Sequence, residues 1–294
     1  MKVRVAVGVL AVVLFAAGCG EKDEQGSGSG SAREATTPAV PTGADDVVLQ
    51  IYSGGGFVPQ IDALGDYPEV VLYGDGRLIT APEPGGPDPA AVPDLNLRRL
   101  DAEQVGEVAA MAADAGLEDP LEDYGMPQIT DLATTTFTFE TTEGPHEASA
   151  YALGSEDEAE GVTDEQGAAR EKLSDLEAEL LNLDATFSGT APEVEAFSPE
   201  AYVVSSIRAE GRSTGGSTEN WPLGANQLAS SDHPEVCTVV DRRDAEPLLK
   251  AVDKAGADST WVAGKNRAEV AIRPAIGLED DCPSESSAYV VPGD

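Results

Sequence analysis

Basic side chains are scarce: 18 Lys and Arg stand against 54 Asp and Glu, leaving a formal charge of -36 over 294 residues. Such a field repels polyanions. Aromatics make up only 5% of the chain and form no basic stripe to overcome that repulsion, which excludes nucleic acid as a partner. An anionic lipid surface is excluded in the same way as a docking site for the body of the protein. Histidine occurs twice and cysteine three times. There is accordingly no H-E-x-x-H and no C-x-x-C, and neither a metal nor a cofactor site is expected. No Ser has a Lys three positions on, which removes the penicillin-binding type of nucleophile. Long apolar runs are also missing, apart from one of roughly thirteen residues between Val5 and Ala17, short of the roughly twenty that a spanning helix needs.

What is present at the start of the chain explains that run. Lys2 and Arg4 precede it, and a basic end followed by a short apolar core is the pattern of a secretion signal, here residues 1–18. The stretch Leu14-Phe15-Ala16-Ala17-Gly18-Cys19 resembles the bacterial lipobox. The resemblance implies that Cys19 carries acyl chains such as palmitate, becomes the first mature residue, and holds the protein at the extracytoplasmic face of the cell membrane. Ala16 departs from the pattern, where Leu is usual. Residues 19–44, with Gly26-Ser27-Gly28-Ser29-Gly30-Ser31 among charges and scattered Thr and Pro, read as a flexible tether. Two acyl chains are enough to retain a folded body at a bilayer where one is marginal.

With Cys19 lipidated, Cys237 and Cys282 remain as a pair in an oxidising compartment, and a disulfide between them is expected. The mature chain is long enough for one large core or two modest ones.

Val47 to Tyr52 reads as a strand broken by Ser53-Gly54-Gly55-Gly56. Glu69 to Tyr73 and Arg77 to Thr80 flank Gly74-Asp75-Gly76 and read as a hairpin. Pro82 to Pro93 reads as a surface loop. Asp101 lies three residues before Gln104 and caps a helix that carries Val105, Val108 and Ala112 on one face and stops at Gly116. A second hairpin places Thr135, Phe137, Phe139 and Thr141 on one face, turns near Glu143-Gly144-Pro145, and returns through Ala148 to Leu153. His146 is expected in that turn, exposed. Thr163 and Gln166 cap another helix, whose stripe of Ala169, Leu173, Leu176, Leu180 and Leu183 is expected to pack on the sheet. A Pro, Thr and Ala rich stretch from about Ala185 to Ser198 marks a domain boundary. Beyond it come strands at 201–207, 236–240, 259–262 and 268–272. A helix from Asp244 to Ala255 is expected with Pro247 in its first turn. The fold class is α+β: two small domains, 45–185 and 198–294, each an antiparallel or mixed sheet packed with one or two helices, behind the signal peptide and tether.

Leu72-Tyr73-Gly74-Asp75-Gly76, Asp114-Ala115-Gly116-Leu117, Tyr124, and Thr130-Asp131 ahead of Thr134-Thr135-Thr136 resemble a domain of unknown function found in bacterial secreted proteins and lipoproteins. The similarity covers residues 45 to 185 and implies no activity. Many relatives carry a cysteine pair where this chain has Gly55-Gly56-Phe57-Val58-Pro59. Trp221-Pro222, Cys237 and Arg273-Pro274 resemble the second half of uncharacterised actinobacterial lipoproteins.

Two patterns imitate chemistry. Gly211-Arg212-Ser213-Thr214-Gly215 matches the G-x-S-x-G elbow of serine hydrolases, with His233 as the candidate base. An elbow needs a helix directly behind it, whereas Gly216 to Pro222 reads as loop. Glu156, Glu158 and Glu160 before Gly161 open like a calcium loop, but the twelfth position, which must supply a bidentate Glu, is Gly167. The expectation is therefore a noncatalytic binding or structural module held at the membrane through Cys19, with an envelope protein or glycan as partner. The two alternatives are a secreted hydrolase using Ser213 and His233, and an accessory or regulatory subunit of an envelope complex.

Overall fold

A computed structural model describes residues 37–82, 92–155, 160–209, 216–256, 259–279 and 281–282. Its architecture is α+β, with two sheets, each packed with helices. Residues 35–294 fall in one compact unit.

The first sheet is antiparallel and contains β1 (Val47–Gly54), β2 (Val70–Tyr73), β3 (Arg77–Thr80), β4 (Asn96–Arg99), β5 (Thr134–Thr141), β6 (Gly144–Tyr151) and β7 (Glu195–Ala196), in the order β6-β5-β1-β2-β3-β4-β7. A bulge between Val47 and Leu49 lets β1 bury consecutive residues Val48 and Leu49. In β5 the residues alternate, and Thr135, Phe137, Phe139 and Thr141 are the buried ones. Helices α2 (Ala102–Asp114) and α3 (Asp164–Leu181) cover that face. Both begin in complete capping boxes, Asp101 with Gln104 and Thr163 with Gln166, which satisfy backbone donors that the first helical turn leaves open. Leu173, Leu176 and Leu180 of α3, followed by Leu183 of the short α4 (Leu183–Thr186), join the same core.

Arg170 lies on that apolar stripe and is fully buried. Its guanidinium donates to the carbonyls of Tyr151 at 2.9 Å and Ala152 at 2.7 Å, and at 3.5 Å to that of Tyr124. Ala152 holds φ at 51°, a conformation unusual for a residue with a Cβ, at the point where the chain leaves β6.

The second sheet contains β8 (Ala201–Arg208), β9 (Thr218–Asn220), β10 (Glu235–Asp241), β11 (Thr260–Ala263) and β12 (Asn266–Pro274), ordered β10-β8-β12-β11-β9. All its pairings are antiparallel except β11 with β9. Helix α5 (Arg242–Ala255) buries Ala245, Leu248 and Val252 against it, beside Trp221 and Trp261, whose rings meet edge to face at 5.8 Å.

Several sequence expectations need correction. Helix α5 starts at Arg242 rather than Asp244, so Pro247 lies in its second turn. The carbonyl of Arg243 there loses its usual helical donor, a cost outweighed by the apolar face that α5 buries. The second hairpin turns at Thr142-Glu143, since Thr141 pairs with Gly144. Pro145 and His146 therefore belong to β6. Gly216 to Pro222 is not all loop, because Thr218–Asn220 pairs with β11. Within the stretch read as a boundary, Glu195–Ala196 adds β7 to the first sheet.

The face of the first sheet opposite α2 and α3 packs against the segment that follows β12. Val71, Ile79, Leu95 and Leu97 of the first pack with Ile276. The amide of Leu278 donates to Gln50 Oε1 and that of Gly277 to Tyr73 Oη, both at 2.7 Å. Gly277 has φ 63°, and a Cβ there would stand 2.1 Å from Gln50 Oε1, so glycine is required on both counts. Helix α1 (Gln60–Ala63) and the turn after it lie against β8 and β12, with Gly65 facing Ala271.

Candidate interaction surface

Cys19 and Ser213 lie outside the described residues, as do Glu156 and Glu158. His233 is exposed in the loop before β10, where its amide donates to Ser230 Oγ at 3.2 Å. His146 sits half-buried in β6, its Nε2 3.4 Å from Thr141 Oγ1, beside the Phe139 ring. His146 thus belongs to the first sheet, whereas His233 lies in a loop that leads into the second. Among the described residues no group of three or more His, Cys, Asp or Glu is placed to hold a metal ion.

Cys237 and Cys282 are joined in a disulfide, with their Cα atoms 5.7 Å apart. Cys237 stands on β10 opposite Ser205 of β8. Cys282 follows Asp281, whose carbonyl accepts from Arg273 Nη2 at 2.8 Å. The last described residues are thus tied to the second sheet by a covalent bond and a charged donor.

A belt of acids occupies the seam between α1, β2 and α3. Burial, aided by the charge of Asp62, lifts the Asp66 carboxyl to about 6 even though Arg273 opposes the shift. Burial also lifts the Glu177 carboxyl of α3 to about 8, helped by the hydrogen bond that its protonated form donates to Glu69 and by repulsion from that carboxylate. Both values lie above the ordinary ones, so the folded chain holds protons that the unfolded chain releases. The resulting stabilisation is complete below the ordinary carboxyl value near 4.5 and declines as pH rises to about 8. Replacing Glu177 by Gln is therefore expected to raise the unfolding free energy at pH 8 by roughly 1–2 kcal/mol, after discounting for solvent screening. At pH 4 it should change little. Urea denaturation at the two pH values checks this, and an equal shift at both would refute the raised Glu177 carboxyl.

The most conspicuous exposed feature is apolar. Phe57 is 87% exposed, Val58 48% and Leu132 37%. They project where β1 ends, next to the residues that precede β5, since Gly54 pairs with Thr134. Two consecutive glycines with positive φ, Gly55 at 83° and Gly56 at 80°, turn the chain out of the strand. A Cβ on Gly56 would come within 3.2 Å of the backbone of Asp131 and Leu132, so the two loops lie in close contact. The Phe57 amide donates to the Asp131 carbonyl at 3.4 Å. Tyr151 braces the second loop: its hydroxyl donates to the Ile129 carbonyl at 2.9 Å and accepts from the Leu132 amide at 3.2 Å. The tip is therefore held in place by backbone contacts while its large side chains face water.

In the sequence, Gly55 to Pro59 stood out only as a departure from a family's cysteine pair. A Phe between a glycine pair and a proline, out of step with the strand alternation, was the signal that could have marked it.

No known protein family, no curated protein and no solved structure matches this chain.

Proposed function

We propose that this protein is a noncatalytic binding module, exported and held by acyl chains on Cys19 at the extracytoplasmic face of the cell membrane. Its first half would be a version of the domain of unknown function that residues 45–185 resemble. The observation that supports the binding role is the braced apolar tip of Phe57, Val58 and Leu132. A soluble, highly charged chain has no solubility reason to expose a Phe almost completely, and exposed apolar groups rimmed by polar ones mark interaction surfaces. The tip also favours an accessory role in an envelope complex, since a partner protein offers the pocket such a side chain needs.

The anchoring half of the proposal rests on the Leu14 to Cys19 motif. Cys19→Ser is expected to shift the protein from the membrane fraction to the soluble fraction, as read by fractionation and immunoblotting. Unchanged membrane retention would refute lipidation at that residue.

A further inference from the structure

We propose that Phe57, Val58 and Leu132 form a docking tip for a partner protein whose apolar pocket is rimmed by Lys and Arg. This rests on the binding-module reading above and adds to it the chemistry of the partner. The apolar half of the requirement comes from Phe57, the kind of rigid aromatic that anchors interfaces when it enters a desolvated pocket. The bracing by Tyr151 and the Asp131 carbonyl means that little ordering is left for the moment of binding.

The charged half comes from the surroundings. Asp131 meets Phe57 through its backbone carbonyl, and Asp62 follows one turn after Pro59, its amide donating to the Pro59 carbonyl. Gln60 Nε2 reaches Glu235 Oε2 of β10 at 3.1 Å. Arg273, whose charge acts on Asp66, is 5% exposed. Acidic residues therefore neighbour the apolar tip through Asp131 and Asp62, with Glu235 joined to Gln60, on a chain whose net charge is -36. A basic rim meets both the local and the overall field, and opposite charge speeds encounter as well as selecting the partner.

The same charge disfavours an anionic bilayer as the occupant.

The test uses the full chain carrying Cys19→Ser, so that lipid plays no part, and a synthetic amphipathic peptide of Leu and Lys as probe. Binding followed by fluorescence anisotropy is expected, and Phe57→Ser should weaken it at least tenfold. Val239→Ser, which removes an exposed apolar side chain from the second sheet, should leave it within twofold. A peptide with Glu in place of Lys should not bind. Phe57→Trp should retain binding, and the emission it adds to that of Trp221 and Trp261 should shift to the blue on docking. Equal binding by the parent and Phe57→Ser, or equal loss in Val239→Ser, would mean diffuse attraction to an acidic surface and would overturn the proposal. Phe57-dependent binding to vesicles of phosphatidylcholine or phosphatidylglycerol would overturn it in favour of a membrane. Loss of anchoring in the fractionation experiment is independent of all these outcomes.

Discussion

Arg170→Met is expected to lower the unfolding free energy by about 3–5 kcal/mol, the largest effect of any single substitution considered. Among the described residues, the guanidinium is the only long polar side chain in the core of the first sheet that is wholly shielded from solvent. It supplies donors to the carbonyls of Tyr124, Tyr151 and Ala152, which come from two separate segments of the chain. Met fills most of the volume but donates nothing, and each buried acceptor left unpaired costs about 1–3 kcal/mol. Arg170→Lys should recover part of the loss, since a single ammonium can reach one or two of the carbonyls but lacks the planar fork that spans them. Chemical denaturation of the three proteins measures this. A loss of under about 1 kcal/mol for Met would show that water replaces the guanidinium without difficulty.

Removing the disulfide should have an effect of similar size. The Cys237–Cys282 bond closes a loop with a sequence separation of 45, and for a loop of that length the chain-entropy account gives about 4 kcal/mol, within an observed range of about 2–5. The bond also encloses Gly277 and Leu278, whose amides satisfy Tyr73 and Gln50. Reduction should therefore loosen the contact between the sheets before it melts either one. The double variant Cys237→Ala with Cys282→Ala is expected to show a lowered denaturation midpoint and faster amide exchange at Gly277 and Leu278 than the parent. Peptide mapping of the native protein without reductant should recover the two cysteines on one linked fragment. Two alkylated thiols in that map would remove the basis of the prediction.

What was legible in the sequence follows the range over which each interaction acts. The capping boxes at Asp101 and Thr163 involve residues three apart, and both formed as read. The alternation of β5 and the leucine stripe of α3 are periodic signals of a single element, and they too correspond to buried faces. The strand Asn96–Arg99 has one buried apolar residue, Leu97, and so little pattern of its own. It is a strand because β3 and β7 pair with it. Thr218–Asn220 depends likewise on β11.

The candidate surface was less legible for the same reason. Arg170 reads locally as a solvated charge on a helix and becomes a core residue only when Tyr124 and Ala152 arrive from distant parts of the chain. The raised Glu177 carboxyl needs Glu69, just before β2, to be brought beside α3. The exposure of Phe57 depends on Asp131 and Leu132, which β5 brings beside the end of β1. The cysteine pair could be read in advance because it required only counting and a compartment.

Gln50 and Leu278 are 228 positions apart, and Tyr73 and Gly277 are 204 apart. Until the segment through Leu278 has been synthesised, Gln50 Oε1 lacks the Leu278 amide, and Val71, Ile79 and Leu97 lack Ile276. Contacts so distant form slowly, since the chain must pay the entropy of a long closure before gaining them. A nascent chain on the proposed secretory route would thus stay short of its final packing during export, and lock only after the segment from Ile276 to Leu278 has crossed.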